Sequence, residues 1–309
     1  MDIKVMPKLL RGEVTPPSSK SQCHREIICA ALAHGESRLE NIYFSDDINA
    51  TLRGVSAFGA EFIRESDTLR ITGGMATAVP SIDCGAAATT LRLLLPAALA
   101  LYGEANFTGD PSLMSRPLEP YFRLFRERGI EYELNDNCLR VRGRLLAGEY
   151  ALPGDVSSQF FSGLLLALPL LDGESRLRAE SPIQSRPYID MTLDSMKRHG
   201  VSVTQGKNEF IIAPQRYMGC DRAVESDWSH AALWLAAREL GNDISILGMT
   251  EKSVQGDRIF MEYLRALHSD RDIALDVSQC PDIVPPLALA AALRSGRCDI
   301  THAARLRYK

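Results

Sequence analysis

The sequence predicts an α/β protein assembled from repeated strand–helix units, and three observations carry that expectation. A glycine followed by a short polar-to-apolar run recurs five times: GESRLENI from Gly35, GEANFTGD from Gly103, GESRLRAE from Gly173, GNDISILG from Gly241 and GRCDITHA from Gly296. The first four markers are spaced at close to seventy residues, the last somewhat less. An apolar helical pattern precedes every marker, and an amphipathic one follows the first four. Such alternation implies mixed sheets with helices packed on one another, in units too large for a solenoid repeat.

The apolar patterns read KSQCHREIICAALAHG, AATTLRLLLPAALALYG, VSSQFFSGLLLALPLLDG, SDWSHAALWLAARELG and CPDIVPPLALAAALRSG. They are greasy nearly all round, so each is expected to lie buried against neighbours. Their first turns carry Ser, Thr, Asp or small residues, the chemistry of an N-cap. The amphipathic patterns are DDINATLRGVSAFG, RPLEPYFRLFRERG, RPYIDMTLDSMKRHG and GDRIFMEYLRALHSD. Three of them end on glycine before a β-rich run (AEFI, IEYEL, VSVTQ), the mark of a C-cap and a return to strand. The fourth runs into HSDRDIALDV without a glycine. The unit is therefore strand, buried helix, strand, surface helix, strand. A fifth unit begins near Asp276 and supplies only its helix and the strand CDITHAA before the basic run Arg305, Arg307 and Lys309. The expectation is an incomplete last unit.

At 309 residues two domains are expected. The net charge of −4 argues against a nucleic-acid partner, which a basic excess would serve. Seven scattered cysteines without a CxxC pair read as reduced thiols of a cytoplasmic protein, neither a disulfide framework nor a zinc site. No membrane span is expected, because the longest greasy stretch, FFSGLLLALPLL, is too short.

Chemistry gathers at the helix starts. TPPSSKSQCHRE brings Ser18, Ser19, Lys20, Ser21 and Arg25 to one, and GDVSSQFFSG brings Ser157, Ser158 and Gln159 to another. MSRPLEP places Arg116 before a third, and QSRPYID places Ser185, Arg186 and Tyr188 at the corresponding point one unit later. Free N–H groups, hydroxyls and cations at a helix N-terminus suit phosphate or carboxylate, so several such starts suggest a ligand with more than one anionic group. Asp282, in CPDIVPP, reads either as a capping acid or as a group that accepts a proton from a substrate hydroxyl. The six histidines show no ligand spacing, and GxGxxG, P-loop and GxSxG motifs are absent.

These segments, together with LENIYFSDDINATL, DCGAAATTLRLLLPAA, TGDPSLMSRPLEP, QSRPYIDMTLDSMKRHGV and SVQGDRIF, resemble the 5-enolpyruvylshikimate-3-phosphate (EPSP) synthase family over essentially the whole chain, in order. The resemblance implies a two-domain inside-out α/β barrel of enolpyruvyl transferase type, built from βαβαββ units. One domain is continuous (15–218) and the other discontinuous (1–14 plus 219–309). It implies transfer of the enolpyruvyl group of phosphoenolpyruvate (PEP) to the 5-hydroxyl of shikimate 3-phosphate, with no metal or organic cofactor. By motif position, Lys20, Ser21, Arg25, Ser157, Ser158, Gln159, Ser185, Tyr188, Asp282 and Lys309 face shikimate 3-phosphate. Lys20, Ala88, Arg116 and Gln159 face PEP; Asp282, Lys20 and Lys309 are the implied catalytic groups. The sister family that acts on UDP-N-acetylglucosamine is disfavoured by KS at Lys20–Ser21 and by GDPSLMS, which lacks that family's reactive cysteine.

Two departures shape the expectation further. GAAAT puts Ala88 where the family has glycine, which implies weaker binding of PEP and, more so, of glyphosate. The family pattern continues beyond Lys309 with a glutamate and further basic residues. The resemblance therefore implies a truncated, nearly inactive chain with an exposed broken sheet prone to self-association; the alternative is a non-catalytic anion-binding remnant.

Overall fold

A computed structural model describes residues 3, 4, 6, 8–304 and 306. The chain falls into two compact units, a continuous one (Lys20–Val224) and a discontinuous one formed by the residues up to Ser19 and those from Glu225 onward. The first strand, β1 (Arg11–Val14), belongs to the discontinuous unit.

The continuous unit runs through one element series three times. The first pass holds α1 (Lys20–Leu32), β2 (Ala33–His34), β3 (Glu36–Glu40), α2 (Asp46–Ala57), β4 (Glu61–Glu65) and β5 (Thr68–Thr72). The second holds β6 (Ser81–Asp83), α3 (Ala88–Leu101), β7 (Glu104–Thr108), the single turn α4 (Pro111–Met114), α5 (Glu119–Arg128), β8 (Glu131–Asn135) and β9 (Cys138–Arg142). The third holds β10 (Glu149–Leu152), α6 (Ser158–Ala167), β11 (Ser175–Ala179), α7 (Arg186–Arg198), β12 (Thr204–Gln205) and β13 (Glu209–Ile212). Two short strands, β14 (Tyr217–Met218) and β15 (Arg222–Ala223), complete the unit.

Each pass makes a four-stranded sheet of the same connectivity: β6-β7-β9-β8, β10-β11-β13-β12 and β15-β3-β5-β4. The first pair in each is parallel and the others antiparallel. The first-pass sheet thus takes its parallel strand from far downstream, with Arg222 opposite Leu39. Burial alternates along β7 and β9, as it must when one face meets the helices and the other water. The edge strand β4 is exposed throughout, and its charges Glu61, Arg64 and Glu65 discourage pairing with another chain. The glycines that close the three surface helices, Gly59, Gly129 and Gly200, all take positive φ, as the C-cap reading requires.

The discontinuous unit continues with α8 (Trp228–Glu239), β16 (Asp243–Ile246), α9 (Phe260–Leu267), β17 (Ile273–Asp276), α10 (Val284–Ala291) and β18 (Cys298–Thr301). β1 pairs with β16 and β17 with β18, both parallel. All five glycine markers therefore lead into strands: β3, β7, β11, β16 and β18. Each unit has its own apolar core, one drawn from residues between Cys23 and Val224, the other from Trp228 to Ala290.

The expectation of all-round burial holds for α1, α3 and α6 but not for the later helices. Leu233 on α8, Leu289 on α10 and Leu293 just past it are about half exposed (52%, 46% and 51%). The discontinuous unit has only the three helices α8, α9 and α10 among the described residues, too few to cover both sides of each.

The inner helices of the continuous unit approach one another tightly. Gly163, in the middle of α6, lies against the backbone carbonyl of Arg92 on α3 and the hydroxyl of Tyr121 on α5. A methyl group there would sit far inside van der Waals distance of the carbonyl oxygen, and backbone cannot yield as a flexible side chain does. Gly163→Ala should therefore destabilise the protein by about 2 kcal/mol or more, towards the upper end of overpacking costs. Urea unfolding followed by circular dichroism checks this; an unchanged midpoint would show that the two helices separate freely.

Candidate active site

The start of α1 presents one exposed and one buried cation. Lys20, the first helical residue, is about half exposed, and its Nζ lies 2.8 Å from Asp47 Oδ2 on α2. Five residues on, Arg25 is buried (1% exposed). Its Nε donates to Thr192 Oγ1 at 2.7 Å, Nη1 to the Ser21 carbonyl at 2.6 Å, and Nη2 to the Tyr188 carbonyl at 3.0 Å and Ser162 Oγ at 3.4 Å. Burial pushes the guanidinium down to about 10, so it remains cationic at neutral pH. Among the described residues no carboxylate forms an ion pair with it; its partners are hydroxyls and carbonyls.

The next residue shows that this is not how the fold ordinarily treats a buried charge. Glu26 is fully buried on another face of α1, 2.6 Å from Arg222 Nη1 and 3.3 Å from His199 Nε2, and accepts from Ser195 Oγ at 2.7 Å. Arg222 also reaches Asp194 at 2.9 Å. An unpaired buried charge is costly, and a paired one much less so. Arg25 lacks the counter-charge that Arg222 has.

A second cluster joins the starts of α3 and α6. Ala88 opens α3, and the residue before it, Ala87, contributes no side-chain cap. The first N–H groups of α3 are thus left for another acceptor. Gln159 Oε1 accepts from Arg92 Nη1 at 2.9 Å, and Gln159 Nε2 donates to Thr89 Oγ1 at 2.9 Å. Arg92 Nη2 reaches the Pro117 carbonyl at 3.2 Å, next to the half-buried Arg116, and its guanidinium carbon lies 5.0 Å from the centroid of the Phe160 ring. Burial pushes Arg92 down to about 10, with the nearby Arg116 charge acting in the same direction. Ser157 caps α6 as anticipated, accepting from the Gln159 N–H at 3.3 Å, and Ser158 behind it is buried.

The start of α7 completes the cationic region. Ser185 is buried with φ 55°, a left-handed conformation that costs a non-glycine residue about 1 kcal/mol. Tyr188 gives its carbonyl to Arg25, whereas Arg186 is engaged locally with Asp190 at 2.7 Å. The structure therefore links Ser21, Arg25 and Tyr188 in one hydrogen-bonded group, and Gln159 with Thr89, Arg92 and the Arg116–Pro117 segment in another. Ser162, one turn along α6 from Gln159, bonds into the first group.

Thr89 and Arg92 were not singled out in the sequence. Their signal was the three-residue spacing in ATTLR, which puts both on one face of α3. Asp282 belongs to the discontinuous unit, half-buried in the 3₁₀ turn Pro281–Ile283 that leads into α10. Lys309 lies outside the described residues. Among the described residues no three His, Cys, Asp or Glu side chains gather as a metal ion would need, and no helix is long and apolar enough to cross a membrane.

Fold and site together define an α/β protein of repeated four-stranded units that collects an uncapped helix start, hydroxyls and arginines lacking acidic partners, a scaffold suited to anions. The family model for EPSP synthase (3-phosphoshikimate 1-carboxyvinyltransferase) matches residues 5–309, and the chain belongs to that family. The 3-phosphoshikimate 1-carboxyvinyltransferase of Clostridium kluyveri is 38% identical over 328 residues, spanning 99% of this chain and 77% of that protein. That of Clostridioides difficile is 38% identical over 338 residues, with the same shares covered. An EPSP synthase structure from Acinetobacter baumannii superimposes with a TM-score of 0.78 at 22% identity, covering 97% of this chain and 77% of that one, and speaks for the fold alone.

Behind the two clusters lies a buried relay. His24 Nδ1 is 2.7 Å from Thr51 Oγ1, which is 2.7 Å from Thr90 Oγ1, tying α1, α2 and α3 together. Burial pushes His24 down to about 3, so the ring is neutral in the folded protein at every pH where an unfolded histidine would ionise. The unfolded chain therefore binds a proton that the folded chain refuses. Stability from this residue is complete above about pH 6.5 and is lost as pH falls towards about 3. Between pH 7.5 and pH 5 the loss should be about 2 kcal/mol. His24→Asn should flatten that part of the pH profile of the urea midpoint; an identical profile in both proteins would refute the assignment.

Proposed function

We propose that this chain transfers the enolpyruvyl group of PEP to the 5-hydroxyl of shikimate 3-phosphate, giving EPSP and phosphate in the shikimate route to aromatic amino acids. The observation that carries this reading is Arg25, a fully buried guanidinium with hydroxyl and carbonyl partners and no ion-paired carboxylate among the described residues. A fold that pairs Arg222 twice next door has reason to leave Arg25 unpaired if an anionic ligand completes it.

In this reading Ser21, Arg25, Ser157, Ser158, Gln159, Ser185 and Tyr188 hold shikimate 3-phosphate, with Asp282 and Lys309 assigned to the same substrate. Lys20, Ala88, Arg116 and Gln159 face PEP. The 5-oxygen bonds to C2 of PEP while C3 gains a proton, and Asp282 takes the hydroxyl proton. The C2–O bond to phosphate then breaks as C3 gives its proton back, restoring the double bond. Lys20, Arg116 and the uncapped start of α3 stabilise the phosphate charge on both sides of the tetrahedral intermediate.

Calorimetric titration tests the binding half of this reading. Shikimate 3-phosphate should bind saturably, and shikimate without its phosphate should bind at least tenfold more weakly. Arg25→Lys, which keeps the charge but loses the planar fork, should weaken shikimate 3-phosphate by roughly tenfold or more, a loss of about 1.4 kcal/mol. Binding no tighter than that of inorganic phosphate would remove the reading. Release of phosphate from PEP that depends on shikimate 3-phosphate tests the transfer itself; binding without release would leave only an anion-binding protein.

Ala88 supplies a separate expectation. Its methyl group stands on the first residue of α3, where an anion would approach the free N–H groups. Ala88→Gly should bind PEP more tightly, and glyphosate more tightly still, in titrations with shikimate 3-phosphate present. Equal affinities would show that the methyl group does not reach the ligand.

A further inference from the structure

Arg92 stands apart from the residues assigned above, since its guanidinium is spent on protein atoms. Those atoms belong to the residues that matter: the side chain of Gln159 and the carbonyl of Pro117, which follows Arg116. Its own backbone is held as firmly, for Tyr121 Oη donates to the Arg92 carbonyl at 2.8 Å and Gly163 packs against the same oxygen.

A guanidinium carries five N–H donors and no acceptor. The atom of Gln159 that faces Arg92 at 2.9 Å is therefore the amide oxygen. The amide nitrogen then faces Thr89 Oγ1 at 2.9 Å as a donor. Thr89 accepts that bond, so its own proton is left to donate elsewhere. Thr89 lies in the first turn of α3, beside N–H groups that no side chain caps. Arg92, Gln159 and Thr89 thus form a one-way chain of donors ending at the helix start.

We propose that Arg92 is a positioning residue that locks Gln159 and Thr89 as donors, making the start of α3 an all-donor cradle selective for a fully deprotonated phosphate. The inference rests on the reading of this region as the PEP subsite. A cradle without acceptors has nothing to offer a monoprotonated phosphate, whose remaining O–H needs one. Affinity should then fall by up to tenfold per pH unit below the second phosphate ionisation, near pH 6. Without Arg92 the Gln159 amide is free to turn and present its oxygen, so the protonated form is accepted and the pH dependence flattens.

The experiment titrates the 309-residue protein and its variants calorimetrically with PEP between pH 5 and pH 8, with saturating shikimate 3-phosphate, and with shikimate 3-phosphate alone. Arg92→Met should lose roughly tenfold to hundredfold in PEP affinity at pH 7.5, as expected when polar partners are left unaligned. It should weaken shikimate 3-phosphate, which Gln159 also holds in this reading, by clearly less than it weakens PEP, and show the flattened pH profile. Thr89→Val should lose PEP affinity similarly, and the double variant should lose little more than either single one, because the two act through one chain. Parallel loss of both ligands, an unflattened profile, or additive losses would each overturn the proposal, as would full rescue by Arg92→Lys, which would make charge alone sufficient. Circular dichroism and urea midpoints confirm that the variants compared are folded; should Arg92→Met not fold, Thr89→Val and Arg92→Lys carry the same comparison. If the unaltered protein takes up shikimate 3-phosphate but no PEP, the subsite reading falls and the inference with it.

Discussion

The cationic region of the continuous unit depends on how closely α3 and α6 pack where Gly163 meets the Arg92 carbonyl. That contact sets the distance between two helix starts. With it in place, Gln159 at the start of α6 can reach both Thr89 and Arg92 on α3, and Ser162 one turn later can reach Arg25. Tyr121 strengthens the same junction from α5, its single hydroxyl proton shared between the carbonyls of Arg92 at 2.8 Å and Phe160 at 3.2 Å and its ring edge-on to Phe160 at 4.8 Å. A single missing side chain therefore fixes the spacing of groups that belong to three helices. Side chains long enough to bridge a wider gap would also be floppy enough to lose the geometry.

The second constraint acts on α1. Arg25 and Glu26 are neighbours in sequence and point into different surroundings, one among hydroxyls and carbonyls, the other into a paired ionic network with Arg222, His199 and Ser195. The Glu26 network ties α1 to α7 and to β15, the strand that closes the first sheet from far along the chain. It thereby sets the rotation of α1 about its axis, and with it the direction in which Lys20 and Arg25 project. The same network anchors β15, whose pairing with β3 extends over only two residues. A ladder that short would fray without Arg222 held at both Glu26 and Asp194.

Much of this was legible in the sequence because period and punctuation carry it. The five glycine markers, the inner and outer helices and the three C-cap glycines are local signals, and the structure realises all of them as elements. Ser157 was readable as a cap from VSSQ. What escaped depends on partners distant in the chain. β15 is two residues long and has no pattern of its own. That Arg25 lacks an acid while Arg222 has two is decided by residues far away in the chain, as the contacts of Arg25 with Thr192 and of Arg222 with Glu26 illustrate. Arg92 is one polar residue in a greasy helix, and its partner is decided only once α6 brings Gln159 against it. The half-exposed leucines of α8 and α10 show the converse: composition predicts which faces are apolar, but neighbours decide which are covered.

Net charge conceals the central electrostatic choice. The chain is acidic overall, with 39 acidic against 35 basic residues, and its exposed surface spends charge freely on pairs such as Arg70–Glu36 and Arg123–Glu180. Such pairs are worth at most about 1 kcal/mol each. Around the helix starts the pattern reverses. Arg25, Arg92 and Arg116 have no ion-paired carboxylate among the described residues, so no paired acid cancels their positive potential. Lys20 and Arg186 are the exceptions, paired with Asp47 and Asp190. Because the Lys20–Asp47 pair is solvated, separating it costs little. Arg25 and Arg92 are each held by several hydrogen bonds from the protein, whereas Lys20 keeps a solvated side chain at the start of α1.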